Sequence, residues 1–189
     1  MKNEATRSTD WEIDSAHSSA HFSVKHLMVS TVRGEFSKVN GTVVLEEADP
    51  VRSRLEVEID AASLDTGEPK RDAHLRSPDF FDVEKFPKLT FRSTRIERAG
   101  DDFALTGDLT MHGVTRPVTL SVELSAAVKD PYGRVVRGVS ATGKLNRKDW
   151  GLGWNAVLEA GGVVIGEDVK LQIDAEFVAK TSGQAPRSP

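Results

Sequence analysis

The chain of 189 residues contains no cysteine. That excludes disulfides, thiolate metal sites and a thiol nucleophile. No apolar run approaches the roughly eighteen residues of a membrane-crossing helix. The first ten residues, Met1 to Asp10, hold no apolar h-region, so no signal peptide is read and a cytoplasmic protein is expected. Excess positive charge is missing too. Twenty-five lysines and arginines stand against 29 acids, a net charge of −4, which is not the footprint of a nucleic-acid binder. The common catalytic and phosphate-binding signatures are absent. There is no Gly-x-Ser-x-Gly elbow and no His-Glu-x-x-His motif. Gly161-Gly162 and Gly166 lack the Gly-Lys-[Ser/Thr] and following helix of a phosphate loop.

What fills the chain is period-2 alternation. Leu55, Val57 and Ile59 alternate with charged neighbours. Val118, Leu120, Val122 and Leu124 do the same. So do Val169, Leu171, Ile173, Ala175 and Phe177, while Phe103, Leu105, Leu109 and Met111 share one parity with Gly107 between them. One apolar face and one solvated face is the pattern of antiparallel sheets. Weaker runs lie at 10–14, 20–27, 31–36, 41–46, 89–96 and 134–145. Turn signals read at Asn40-Gly41, Asp49-Pro50, Ala99-Gly100-Asp101, His112-Gly113 and Asp130-Pro131-Tyr132-Gly133 separate them. Eight to ten short strands argue an all-β sandwich or barrel. No linker interrupts residues 10–180, so one domain is expected, with disordered ends at 1–9 and 181–189.

One segment fits no strand. Arg71 to Pro87 is too long for a hairpin connection. Its first half carries Arg71, Asp72, His74 and Arg76; its second carries Phe80, Phe81 and Phe86. Residues 68–76 read as a short helix, with Pro69 in its first turn, Thr66 or Glu68 before it and Ser77-Pro78 ending it. One short helix on one closed sheet is a lipocalin-like picture. Small barrels either pack their interior with side chains or leave a ligand cavity, and the apolar inward set fits both.

His17, His21 and His26 offer imidazoles to a metal, but His21 and His26 point to opposite faces of an extended run, so no metal site is expected. Asp72 and His74, with Ser63 or Ser77, could compose an acid–base set. No nucleophile signature accompanies them, and Asp72 reads better as an anchor for the helix and loop. Arg71 suits a carboxylate or phosphate. Phe80, Phe81, Phe86 and Phe91 are half of the eight phenylalanines and read as core or as a cavity lid. Trp150 and Trp154 flank Gly151-Leu152-Gly153 in a connection that could line a barrel mouth.

Several stretches resemble the YceI-like family of polyisoprenoid-binding proteins over residues 11–178. They include Trp11-x-Ile13-Asp14-x-x-His17-Ser18, and Phe22-Ser23-Val24-Lys25-His26-Leu27 followed by Val32-Arg33-Gly34-x-Phe36. The most specific is Ala61-x-Ser63-Leu64-x-Thr66-Gly67 with Arg71-Asp72-x-His74-Leu75 and the 79–87 aromatic stretch. His112-Gly113-Val114-Thr115-Arg116-Pro117, Asn146-Arg147-Lys148-Asp149-Trp150-Gly151-Leu152 and Gly166-Glu167-Asp168-Val169 complete the order. The resemblance implies an extended lipocalin-like, eight-stranded antiparallel β-barrel with a short helix near the mouth. It implies a non-enzymatic binder or carrier of a long isoprenoid, a polyprenyl diphosphate or a prenylated quinone, with no other cofactor. Fatty acids or amides are the alternative ligands, and a lipid-modifying enzyme using Asp72 and His74 is the alternative function. Phe22, Phe36, Phe80, Phe81, Phe86 and Phe91 are expected to line the barrel, with Trp150 and Trp154 near an opening. Lys25, His26, Arg33, Arg71 and His74 are expected by the head group. A homodimer is suggested by the resemblance alone. Transient membrane contact is allowed, and an integral membrane segment is not. At ~0.8 kcal/mol per methylene, about twenty buried carbons are worth ~16 kcal/mol, close to the practical ceiling of about 18–21 kcal/mol before the ordering of the tail is subtracted.

Overall fold

A computed structural model describes residues 8–156 and 163–180. The expected termini at 1–7 and 181–189 lie outside the described residues. Ser8 and Thr9, expected before the domain, instead pair with Glu46 and Leu45. The strands are β1 (Ser8–Ile13), β2 (Ser19–His26), β3 (Ser30–Phe36), β4 (Val39–Glu46), β5 (Arg54–Asp60) and β6 (Leu64–Asp65). After helix α1 (Pro69–Arg76) come β7 (Lys88–Ala99), β8 (Asp102–Met111), β9 (Val114–Leu124), β10 (Val128–Lys129), β11 (Val135–Asn146) and β12 (Ile165–Ala179). All pairings are antiparallel, and β11 meets β12 to close the sheet.

Three staves of this barrel are kinked. β1 and β2 lie in succession along the same side of β12. β4 pairs with β1 and β3 with β2, while β5 pairs with β4 and β6 with β3. The successive segments β1 and β2, β3 and β4, and β5 and β6 are thus each one bent strand. Three bent strands and β7, β8, β9, β11 and β12 make the eight of a closed barrel, with β10 an appendage on β11. Closure satisfies the backbone groups that an open sheet would leave at its edges.

The bends are set by local hydrogen bonds. At the first, Asp14 accepts from Ala16 N–H (3.1 Å) and caps the turn Ser15–His17. At the third, Asp60 accepts from Ala62 N–H (2.9 Å). Burial would raise the Asp14 pKa, but the Ala16 N–H and the nearby His17 and Arg134 hold it below the ordinary carboxylate value. A carboxyl depressed on folding contributes stability above its unfolded pKa and loses it as pH falls through the folded one. Asp14→Asn is therefore expected to be less stable than wild type at neutral pH. The gap should close as pH drops below about 4, as read by urea midpoints across pH.

One turn signal proved to be something else. Asn40-Gly41 lies inside β4, opposite Glu58 and Val57. A Cβ on Gly41 would stand 2.4 Å from the Glu56 carbonyl oxygen and 2.8 Å from Ile13 Cδ1. The glycine permits a close approach of backbone at a bend and does not reverse the chain. The remaining turn signals do separate strands. α1 starts at Pro69, its cap being Glu68, which accepts from Lys70 N–H (3.1 Å).

Following the strands, one end of the barrel collects the β2–β3 turn, the 66–87 connection with α1, the β8–β9 turn and the 147–156 segment after β11. The opposite end holds the 47–53, 100–101 and 125–134 turns. Most of the charged and imidazole residues bordering the interior come from the first of these, the helix end.

Candidate functional site

The inward face of every stave is apolar, and the inward side chains do not meet across the axis. They enclose a cavity of about 290 Å³. Its wall includes Ile13, Val39, Leu55, Val57, Phe91, Leu105, Leu120, Ala141, Leu171 and Phe177, which are the inward residues of the period-2 pattern. Apolar groups dominate it. The charged and imidazole residues bordering it are His21, Lys25, His26, Arg71, His74 and Arg147. Of these, His21 and Lys25 lie on the outward face of β2, paired with Glu35 and Thr31, and border it with their stems and backbone. All but His21 come from the helix end. An apolar tunnel with cations at one end suits a ligand with one long apolar tail and one polar or anionic head.

The 66–87 connection forms one side of that end. Asp72, buried in the helix, accepts from Thr66 N–H (2.9 Å) and from the Thr66 hydroxyl (2.5 Å). Arg71 Nε donates to Thr66 Oγ1 (2.7 Å) and its Nη2 to the Thr66 carbonyl (3.0 Å). Arg76 donates to the carbonyls of Ala62 and Leu64. These bonds clamp α1 onto the end of β6. His74 turns away from Asp72 and pairs with Asp79 (2.9 Å). The two residues considered as an acid–base pair thus have different partners, and Asp72 is the anchor.

The aromatic residues fall into two groups. Phe22, Phe36 and Phe81 pack in series, with ring centroids 5.7 and 5.5 Å apart, and line the cavity. Phe80 packs with His74 (5.1 Å) and Trp154 (5.4 Å). Phe91 lies over Gly107, where a Cβ would come within 2.3 Å of its ring. The missing side chain at Gly107 is what lets the Phe91 ring turn inward.

Of the residues expected at the ligand, Phe22, Lys25, His26, Phe36, Arg71, His74, Phe80, Phe81 and Phe91 border the cavity. Arg33, Phe86, Trp150 and Trp154 are not part of its wall. Arg33 is exposed on the outer face of β3, because it has the opposite parity to the inward Val32. Phe86 packs on His112 (4.9 Å) and against Gly113. Trp150 is buried behind the wall, donating Nε1–H to the Leu109 carbonyl (3.0 Å). Trp154 backs His74 at 4.7 Å.

The residue that sequence reasoning passed over is Arg147. It is 4% exposed. Its guanidinium donates to the carbonyls of Gly166 (2.9 Å), Trp154 (3.0 Å), Ile165 (3.4 Å) and Leu152. Burial lowers its pKa, and the Glu167 charge opposes that. The motif around it was visible, but an arginine beside Lys148 and Asp149 reads as surface. Only the folded chain buries it. Leu75 and Leu152 were also missed as wall residues.

The three histidines weighed as metal ligands do not converge. His21 pairs with Ser19 (2.7 Å) and Glu35 (3.3 Å), and His26 borders the cavity. His17 meets Asp14 (3.3 Å) and Glu176 (3.9 Å) near the first bend, where Arg134 also reaches Asp14 (3.4 Å). Ion pairing accounts for that group.

A closed eight-stranded antiparallel barrel with one short helix, enclosing an apolar cavity, defines the lipocalin-like class. Within it the chain belongs to the YceI-like domain family, whose pattern matches residues 11–177. It is 39% identical over 170 residues to a UPF0312 protein of Staphylococcus aureus strain MSSA476, covering 89% of this chain and 97% of that one. The fold is similar to the YceI protein of Campylobacter jejuni, with a TM-score of 0.70 and 30% identity over 83% of this chain and 90% of that one. It also resembles a polyisoprenoid binding domain from Saccharophagus degradans, with a TM-score of 0.64 and 18% identity over 90% of this chain and 98% of that one.

Proposed function

We propose that the protein binds and carries a single-tailed isoprenoid lipid, without acting on it chemically. The observation that carries this reading is the cavity: apolar along its length and bordered at one end by Lys25, His26, Arg71, His74 and Arg147. A tail buried among the inward Val, Leu, Ile and Phe side chains gains about 0.8 kcal/mol per methylene. An anionic head left at the helix end keeps its hydration or meets Arg71. A polyprenyl diphosphate or prenylated quinone meets both demands. The Saccharophagus domain of the same fold, described as polyisoprenoid binding, supports the isoprenoid class.

Binding without chemistry is the simpler reading because one oxygen of Asp72 holds both the Thr66 N–H and its hydroxyl, and His74 is paired with Asp79 instead of with Asp72. The test is organic extraction of protein purified from its native host, followed by mass spectrometry. A stoichiometric prenyl lipid is the expected result. Straight-chain fatty acid or amide in its place would overturn the isoprenoid assignment, and no extractable lipid would overturn carriage.

A further inference from the structure

The β2–β3 turn presents three consecutive apolar side chains to solvent. Leu27 is 38%, Met28 72% and Val29 86% exposed. The reversal is closed by Val29 N–H donating to the His26 carbonyl (3.1 Å). Its two central residues have φ of 53° at Leu27 and 58° at Met28. Such a pair of positive φ values is met without strain by Asn-Gly, whereas leucine and methionine resist it. Folding alone would therefore favour other residues here on two counts, backbone strain and the hydration of the exposed side chains.

The surroundings say what the tip faces. Residues 22–34 contain Lys25, His26 and Arg33 and no acidic residue, in a chain whose net charge is −4. Lys25 and Arg33 form no ion pair among the described residues. The tip is also continuous with the cavity: His26 and Val32, on either side of it, belong to the wall, while Leu27, Met28 and Val29 do not. An apolar prow flanked by free cations is the composition of an interfacial membrane contact.

We propose that the Leu27-Met28-Val29 turn docks the barrel on a lipid bilayer carrying anionic head groups, helix end toward the membrane. This deepens the reading of the protein as a lipid carrier and rests on it. The three apolar side chains enter the head-group layer, and Lys25 and Arg33 meet lipid phosphates. Docked so, the cavity's cationic end faces the bilayer, and a tail can pass between the two with little exposure to water.

The test uses the full chain and cosedimentation with vesicles of phosphatidylcholine mixed with phosphatidylglycerol. Wild type is expected to bind, more weakly as salt rises. The double substitution Leu27→Asn with Met28→Gly is expected to reduce the partition coefficient about tenfold or more while raising Tm, since the turn is relieved of strain. A loss of binding in that variant thus has no unfolding to blame. Arg33→Gln should weaken binding a fewfold on the mixed vesicles and leave binding to pure phosphatidylcholine unchanged. The chain has no cysteine, so Val29→Cys takes a single environment-sensitive dye, whose emission should shift to the blue on vesicles. No wild-type binding, or equal binding by the turn variant, overturns the proposal. So does a turn-dependent dimer in sedimentation velocity without vesicle binding, which would make a second copy the occupant. Prenyl lipid in the extract without vesicle binding defeats only this inference. Vesicle binding by a protein that yields no lipid defeats only the carriage reading.

Discussion

Ala141→Phe is expected to lower lipid occupancy on the order of a hundredfold while leaving the barrel folded. Ala141 is buried on β11, between Val122 of β9 and Ile173 of β12, and all three border the cavity. A phenyl ring projecting from that position enters the space a tail would use. Displacing about four methylenes at ~0.8 kcal/mol each removes ~3 kcal/mol, which is about a hundredfold or more in affinity. Over-packing of a filled core costs about 1–3 kcal/mol, but here the added ring has open volume to occupy. The control is Thr142→Phe, one residue on and exposed on the outer face. Lipid recovered per mole of protein should collapse for the first and not for the second, with similar melting temperatures. Equal recovery from both would mean that the cavity is not the binding site.

Arg147→Met is expected to destabilise the fold by about 3–5 kcal/mol. The guanidinium serves four carbonyls, two in the 147–156 segment and two at the start of β12. Hydrogen bonds from a charged donor contribute about 1.5–3 kcal/mol each. Relief from burying the charge and packing by methionine return part of that sum. For a domain this size each kcal/mol moves Tm by about 2–4 °C, so a fall of roughly 10 °C is expected by calorimetry. Arg147→Lys should recover little, because a lysine lacks the planar fork that reaches several carbonyls at once. A melting temperature within about 2 °C of wild type for the methionine variant would show that Arg147 does not pin the segment. The same loss should loosen the helix end, because Leu152 lines the cavity and Trp154 supports His74.

The two variants probe different halves of the site, and the halves differed in how far the sequence revealed them. The wall was readable. Period-2 alternation assigns Leu55, Val57, Ile59, Val118, Leu120, Leu171 and Ile173 to one face before any coordinates exist, and that face lines the cavity. The short helix was readable from Pro69 and Ser77-Pro78, since a proline and its predecessor constrain the backbone directly. The helix end was less so. Arg33 and Trp150 sit in the right motifs but not on the wall. Which way a side chain near a chain reversal points depends on the register of the pairing and not on composition. Asn40-Gly41 misled for a related reason. Glycine signals both reversal and close approach, and only the β4–β5 pairing separates the two.

By itself the amino-acid sequence determined that this is an all-β fold with a two-faced strand pattern, one short helix and an aromatic connection. Those properties are local, written in the period of the apolar residues and in the prolines. Tertiary structure alone decided that the inward side chains stop short of one another and leave space, because the width of a barrel depends on strand number, tilt and bends shared by all its staves. It decided that Arg147 is buried while Arg33 is exposed. It also decided that a strained apolar turn lies beside the cavity's cationic end, since that adjacency requires the 66–87 connection and residues 147–156 to gather at the same end of the barrel.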